Sequence, residues 1–230
     1  MKIYVINLER NPERLAFIQK QLGALGLGFE RVGACDGRAL PAEEKARQFS
    51  RWRSFIAMKK KMSAAEIGCA ISHARVYRKM IEDGVGAALI LEDDVRLGDG
   101  FVKALERVEK FLEAGKAQVF VLSGYGIEGG EKMAEEIRRE SSIWCADAYC
   151  VTRGAAEIIL KANWPVRTVA DSFKRWRKFF GLELYRVLPT TVKQEDAQFK
   201  SENQVLPKSN WLVRNLMWLV DWLLVKVFHS

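Results

Sequence analysis

The chain has only two histidines, His73 and His229, and four cysteines, Cys35, Cys69, Cys145 and Cys150, with no CxxC pair among them. Paired thiolate ligands are missing, which argues against a zinc site, and a chain of 230 residues implies no disulfide framework. The cysteines read as reduced core residues of a cytoplasmic protein. There is no GxxxxGK[ST] phosphate loop, and the first apolar run carries no acid pair. A phosphoryl transferase that uses acids to hold Mg²⁺ therefore ranks last among the readings. Met1 to Leu8 enters a strand-like run directly, with Glu9 and Arg10 after it and no small-residue cleavage site, so no export signal is expected. A long uncharged apolar run is also lacking. The most apolar segment, 210–228, is interrupted by Arg214, Asn215, Asp221 and Lys226, and a span through hydrocarbon is not expected.

What is present is an apolar content of 49%, enough for one large domain or a domain with an appendage. The net charge of +8 is unevenly placed: residues 1–61 carry 13 basic and 6 acidic groups, 62–170 carry 14 and 17, and 171–230 carry 10 and 6. Basic flanks around an acidic middle suggest an anionic partner, whether a phosphate-bearing ligand, a membrane surface or nucleic acid.

The acidic middle holds the most informative stretch, Ala87-Ala88-Leu89-Ile90-Leu91-Glu92-Asp93-Asp94-Val95. It is too short for a usual helix and has no polar face, so it reads as a strand buried on both sides whose charged end emerges into a cleft. Alternation along an extended chain puts Glu92 and Asp94 on one side and Asp93 on the other. Adjacent carboxylates resist common ionisation unless a cation or donor lies between them, which makes sense around a divalent metal. A solvated acidic turn is the other reading.

The remaining elements follow an alternating order. Lys2–Leu8 predicts a strand, and Asn11-Pro12 a capping residue followed by proline at the start of a helix that runs to about Gly26. A second strand is expected near 29–34. Asn7, Arg10 and Arg14 then sit where open α/β sheets bind ligands, either as nucleotide contacts or as a cap with solvated arginines. Residues 42–61 mix Arg47, Arg51, Arg53 and Lys59-Lys60-Lys61 with Phe49, Trp52, Phe55, Ile56 and Met58. Such a stretch could stack on nucleic acid, lie on a membrane, form a lid, or be a surface helix. Ser63-Ala64-Ala65-Glu66 has capping-box spacing and opens a helix to Gly84 that contains Ser72 and His73.

Beyond the acidic motif come a helix from Phe101 to about Ala114 and a strand at 118–122. Gly124 to Gly129 fits GxGxxG, yet Glu128 and Glu131 would repel a pyrophosphate at the following helix start, so a glycine loop at the cleft is the better reading. A strand from Ile143 to Thr152 contains Asp147, open to an arginine pair or to substrate. A helix at 153–163 follows, then Asp171, a second basic and aromatic stretch at 172–180, and a strand at 184–188 closed by Pro189. In the tail, the apolar residues from Leu212 to Phe228 cover about half of a helix with Trp211, Trp218 and Trp222 amid the charged side. Interfacial membrane binding, packing on the domain and contact with a second subunit all suit that pattern.

Ile6-Asn7-Leu8-Glu9-Arg10 with Arg14, Gly68-Cys69-Ala70-Ile71-Ser72-His73 and Leu89-Ile90-Leu91-Glu92-Asp93-Asp94 occur in an order that resembles the lipopolysaccharide (lipooligosaccharide) glycosyltransferases of family 25, to which collagen galactosyltransferase domains are related. Weaker matches lie at Ala148-Tyr149 and Asp171. The resemblance covers residues 1 to about 200. It implies an α/β, GT-A-like single domain over 1–208, a mixed central sheet flanked by helices, with the amphipathic C-terminal helix of 209–230 outside it.

The implied activity is inverting transfer of a hexose, galactose first, from a UDP-sugar to a lipid-linked oligosaccharide. The implied cofactor is Mn²⁺ or Mg²⁺ on Asp94 and Glu92, where a Lewis acid stabilises the departing diphosphate. Asn7, Arg10, Arg14, Glu92, Asp93, Ser72 and His73 would bind the donor, with His73 bracing the site through hydrogen bonds. Asp171, with Asp147 second, would be the general base. Gln194, Asp196 or water would complete the metal shell. The setting implied is cytoplasmic and peripheral to an anionic inner membrane, with a homodimer through the C-terminal helix as a further option and no nucleic acid as partner. A basic nucleic-acid-binding module without catalysis is the alternative.

Overall fold

The computed structural model describes residues 1–124 and 134–195, together with Val220. Most of the glycine loop at 124–129, Asp196, and the C-terminal helix expected at 209–230, Val220 apart, lie outside the described residues. Within them the expected α/β plan holds. A mixed seven-stranded sheet runs in the order β2-β1-β3-β7-β5-β8-β6, from β1 (Lys2–Asn7), β2 (Glu30–Gly33), β3 (Ala87–Glu92), β5 (Gln118–Val121), β6 (Glu136–Arg139), β7 (Ala148–Thr152) and β8 (Glu183–Leu188). The first three strands are mutually parallel, and β7 enters antiparallel between β3 and β5. Two further short strands, β4 (Val95–Leu97) and β9 (Val192–Gln194), pair antiparallel beside the main sheet.

The period of two in the central strands explains the layers. Tyr4, Ile6, Ala88, Ile90, Tyr149 and Val151 face one core, while Ile3, Val5, Leu89, Leu91, Ala148 and Cys150 face the other. The first core is closed by α4 (Ala64–Glu82), α6 (Arg153–Asn163) and α7 (Phe173–Phe180). The second is closed by α1 (Pro12–Ala24) and α5 (Phe101–Phe111). A strand buried on both faces must be apolar throughout, which is why the run from Ala88 to Leu91 has no polar side.

Helix starts follow their chemistry unequally. Ser63 Oγ accepts from the Glu66 amide at 3.1 Å and Glu66 accepts from the Ser63 amide at 2.7 Å, the reciprocal capping box that its spacing predicts. Asn11 precedes α1 with Pro12 at the first turn, yet its side chain makes no cap; the proline's preset φ starts the helix alone.

Several expectations need correction. The central strand stops at Glu92, and Asp93-Asp94 turn the chain into β4, so alternation does not extend through the acids. The strand expected from Ile143 begins only at Ala148, since Cys145 has φ 87°, a left-handed conformation that no strand contains. The basic stretch at 42–61 is two short helices, α2 (Ala42–Gln48) and α3 (Arg51–Met58), seated on a small cluster of Cys35, Met62, Ile67, Ala70, Ile71 and Val166. The strand β6 carries no apolar alternation to announce it: Glu136, Arg138 and Arg139 are exposed on a sheet edge, where charge discourages pairing with another chain.

Candidate functional site

Three parallel strands end together at Asn7, Gly33 and Glu92, and a hollow of about 120 Å³ opens beyond their carboxyl ends. This is where open α/β sheets place ligands, because loops diverge there and backbone groups point outward. The lining includes Arg10, Arg14, Cys69, Ser72, His73, Glu92, Asp93, Asp94 and Gln194, together with Cys35, Asp36 and Arg38 from the loop after β2. Eight of the candidate site residues, Arg10, Arg14, Ser72, His73, Glu92, Asp93, Asp94 and Gln194, therefore converge on one hollow, and Asn7 holds Asp93 beside it.

The turn after β3 gathers all three acids at that hollow. Asn7 Nδ2 donates to Asp93 at 2.6 Å and to the Asn11 carbonyl at 2.9 Å, while Arg31 Nε donates to Asn7 Oδ1 at 2.9 Å. Asn7 is thus a fully used buried amide that fixes Asp93. The guanidinium of Arg14 reaches Asp94 Oδ2 at 3.0 Å and Asp93 Oδ1 at 3.6 Å. Arg10 pairs with Asp36 at the mouth. From the far end of the domain, Gln194 Nε2 approaches Asp94 Oδ2 at 3.4 Å, and the Glu195 amide donates to the Asp94 carbonyl at 2.7 Å.

Electrostatics mark Asp94. Burial, then the charge of Glu92, raises its carboxyl to about 7 despite Arg14. Its Oδ1 is buried and has no hydrogen-bond partner among the described residues. Asp93 is also raised by burial, an effect opposed by the Asn7 hydrogen bond and by Arg14.

The opposite wall is α4, where Cys69 and His73 stand four residues apart on one face. His73 Nδ1 meets the Tyr149 hydroxyl at 2.7 Å, Tyr149 meets Tyr77 at 2.6 Å, and His73 Nε2 lies 3.3 Å from Glu92 Oε1. Cys69 Sγ is 3.6 Å from the same oxygen, and burial followed by the Glu92 charge pushes its thiol well up. Cys69, His73 and Glu92 form a cluster with the spacing of metal ligands. Ser72 is committed elsewhere: it accepts from the Cys35 amide at 2.8 Å and donates to the Gly68 carbonyl at 2.7 Å, so it holds the β2 loop against α4. That approach needs Gly68, where a Cβ would sit 2.5 Å from the Cys35 carbonyl oxygen.

Asp147 and Asp171 do not line this hollow. Asp147 is buried just before β7, accepts from Ser123 Oγ and from the Ala148 amide at 3.0 Å, and is raised to about 6, chiefly by burial. Asp171 is half-buried and accepts from the Cys145 amide at 3.3 Å; its charge is felt at Cys69 and Cys145, which puts it on the α4 and β7 side of the site. Sequence reasoning missed Asp36 and Arg38; the only signal was Gly37, which marks a loop pressed on α4.

The model of Glycosyltransferase family 25 (LPS biosynthesis protein) matches residues 1–174. A glycosyltransferase 25 family member from Drosophila pseudoobscura pseudoobscura is 32% identical over 153 residues, 64% of this chain and 22% of that protein. The chain spans about a fifth of the length of the insect relatives it matches first. The lacto-N-neotetraose biosynthesis glycosyltransferase LgtE of Neisseria meningitidis serogroup B (strain ATCC BAA-335 / MC58) is 28% identical over 227 residues, 90% of this chain and 79% of that one. A crystal structure of a glycosyltransferase involved in glycosylation of the major capsid of PBCV-1 shares 11% identity at a TM-score of 0.30, covering 69% of this chain and 63% of that one.

Proposed function

The chain belongs to glycosyltransferase family 25, and from that membership we propose that it is an active, inverting hexosyltransferase that moves galactose from UDP-galactose to a lipid-linked oligosaccharide. The observation that carries the reading is Asp94: a buried carboxylate with one oxygen on Arg14 and the other without a partner among the described residues, beside Glu92, at the ends of three parallel strands.

The donor set fits a divalent cation. Oxygen ligands suit Mn²⁺ or Mg²⁺, and the orphaned Asp94 Oδ1 is a buried acceptor that a cation would satisfy. Asp94 and Glu92 would hold it, with Gln194 in reach of Asp94. When bound, the ion supplies positive charge against the diphosphate as it departs.

The protein's own groups do the rest. Asn7 locks Asp93, which orients the ribose or donor sugar. Arg14 neutralises Asp93 and Asp94 enough to let them approach, and Arg10 with Arg38 extends positive charge along the mouth, where a diphosphate is favoured. His73, fixed by Tyr149, sets the rotamer of Glu92. Ser72 acts on the donor only through the loop that it braces. Inversion requires a base on the face opposite the diphosphate; Asp171 takes the proton of the attacking hydroxyl, while Asp147 is held by Ser123 and serves the fold.

No helix among the described residues is long and apolar enough to cross a membrane. The cytoplasmic, peripheral setting is part of this proposal, as is the division into a transferase domain at 1–208 and an amphipathic segment at 209–230 that attaches to the membrane or pairs two copies. The test is turnover of UDP-galactose and UDP-glucose with and without Mn²⁺, for the natural chain and Asp94→Ala. An unchanged rate in the variant removes the metal role.

A further inference from the structure

On the other side of the first turns of α4 lies a second, larger hollow of about 1030 Å³ between α2, α3 and Pro165. Its apolar wall is Phe49, Trp52, Phe55, Met62 and Ile67, and Trp52 and Phe55 are 57% and 40% exposed, although hydrophobic burial would favour covering them. Lys45, Arg51, Lys60 and Lys61 also line it, and among the described residues no carboxylate does. Lys60 is partly engaged by Glu66 at 2.6 Å; Arg51 and Lys61 project at the exposed rim.

A second observation points to a ligand. Ser54 lines the hollow at 1% exposure, and its hydroxyl has no hydrogen-bond partner among the described residues. A buried hydroxyl without a partner is destabilising. The residue that bears it borders the hollow.

We propose that this hollow binds a phosphate-bearing lipid at a membrane surface, with the acyl portion against Trp52, Phe55 and Met62 and the phosphate among Lys45, Arg51 and Lys61. Charge complementarity selects the occupant: an apolar floor with a purely cationic lining matches an anionic amphiphile and nothing neutral. Nucleic acid fits less well, because the aromatic residues sit in a concave apolar pocket and Glu43 and Glu44 stand in the first turn of α2 beside it. Ala65 and Cys69 line the first hollow while Met62 and Ile67 line the second, so one helix start separates them. A lipid held here presents its headgroup sugars toward the acidic site. That last step rests on the transferase reading; the lipid binding does not.

The experiment is flotation of the full chain with vesicles of phosphatidylcholine alone or mixed with phosphatidylglycerol. Binding is expected only to the mixed vesicles, and Arg51→Glu with Lys61→Glu should weaken it on the order of tenfold or more. Acyl-brominated lipid should quench tryptophan emission, and Trp52→Phe should reduce that quenching, leaving only the share owed to the other tryptophans, while circular dichroism stays unchanged. Ser54→Ala should lower lipid affinity without lowering thermal stability. Equal binding to neutral vesicles, unchanged quenching in Trp52→Phe, or retention of single-stranded oligonucleotide in preference to vesicles would each overturn the proposal. Donor hydrolysis, measured without lipid, should be the same in the charge-reversed variant. Its loss in the natural chain would refute the transferase reading and leave the lipid result standing.

Discussion

Arg14 touches Asp94 through a single oxygen, 3.0 Å from its guanidinium, and the other carboxylate oxygen is buried without a partner among the described residues. One charge is thus half-compensated by the protein. Replacing Asp94 with Asn keeps the shape and removes the charge, and it should cut sugar transfer by about a hundredfold or more, in the range of losing one preorganised electrostatic group. Mn²⁺ binding followed by calorimetry should weaken in parallel. A variant that binds Mn²⁺ as tightly as the natural chain would place the metal elsewhere.

Stability against pH follows from the same burial. The carboxyls of Asp94 and Asp147 are raised to about 7 and about 6, against about 4 in an unfolded chain. Between those values the folded chain holds protons that the unfolded chain has released, so the stability of metal-free protein falls as pH rises from about 4 to about 7. Urea unfolding in chelator should show a fall on the order of a few kcal/mol, flattened in Asp94→Asn. Under the proposed function, added Mn²⁺ should restore stability at the neutral end, since a cation on the carboxylate favours its ionised form.

The base is assigned by separating chemistry from folding. Asp171→Asn should reduce kcat by about 10²–10⁴ with little change in donor affinity. Asp147→Asn should instead lower the melting temperature, because Ser123 and the Ala148 amide lose a charged acceptor. If Asp147→Asn keeps its stability and loses kcat, the two roles are exchanged.

A methyl group tests the loop after β2. Gly68→Ala would bring a Cβ within 2.5 Å of the Cys35 carbonyl and 2.6 Å of the Gly37 amide, both backbone atoms. Overpacking of this kind costs about 1–3 kcal/mol. Displacing the loop carries Asp36 and Arg38 away from the hollow, so the Michaelis constant for the donor should rise more than kcat falls.

Much of this was legible from periodicity and caps. Strands buried on both faces are continuous apolar runs, and β1 and β3 could be read as such; the Ser63 box marked the start of α4 to the residue. That the acids at the end of β3 line a hollow was legible, because charge at the end of a buried strand must face a cleft. What could not be read is set by contacts distant in sequence. The turn at Asp93-Asp94 is stabilised by Asn7, Arg14 and Glu195 rather than by any local turn residue. The commitment of Ser72 to Cys35 depends on how closely two loops approach, which no side-chain pattern encodes. The start of β7 is delayed by a left-handed Cys145, a residue type with no preference for that conformation.

The pairing of β4 with β9 has a consequence for biosynthesis. Asp94 is fastened by Gln194 and Glu195, about a hundred residues later and beyond the segment shared with the family model. A nascent chain emerging from the ribosome can form β1, α4 and β3 early, since domains order from the amino terminus as they are made. Its acidic turn has Asn7 and Arg14 to hold it but lacks the tether from Gln194 and Glu195 until residue 195 has cleared the exit tunnel. The complete set of contacts around Asp94 is therefore among the last features the growing polypeptide acquires.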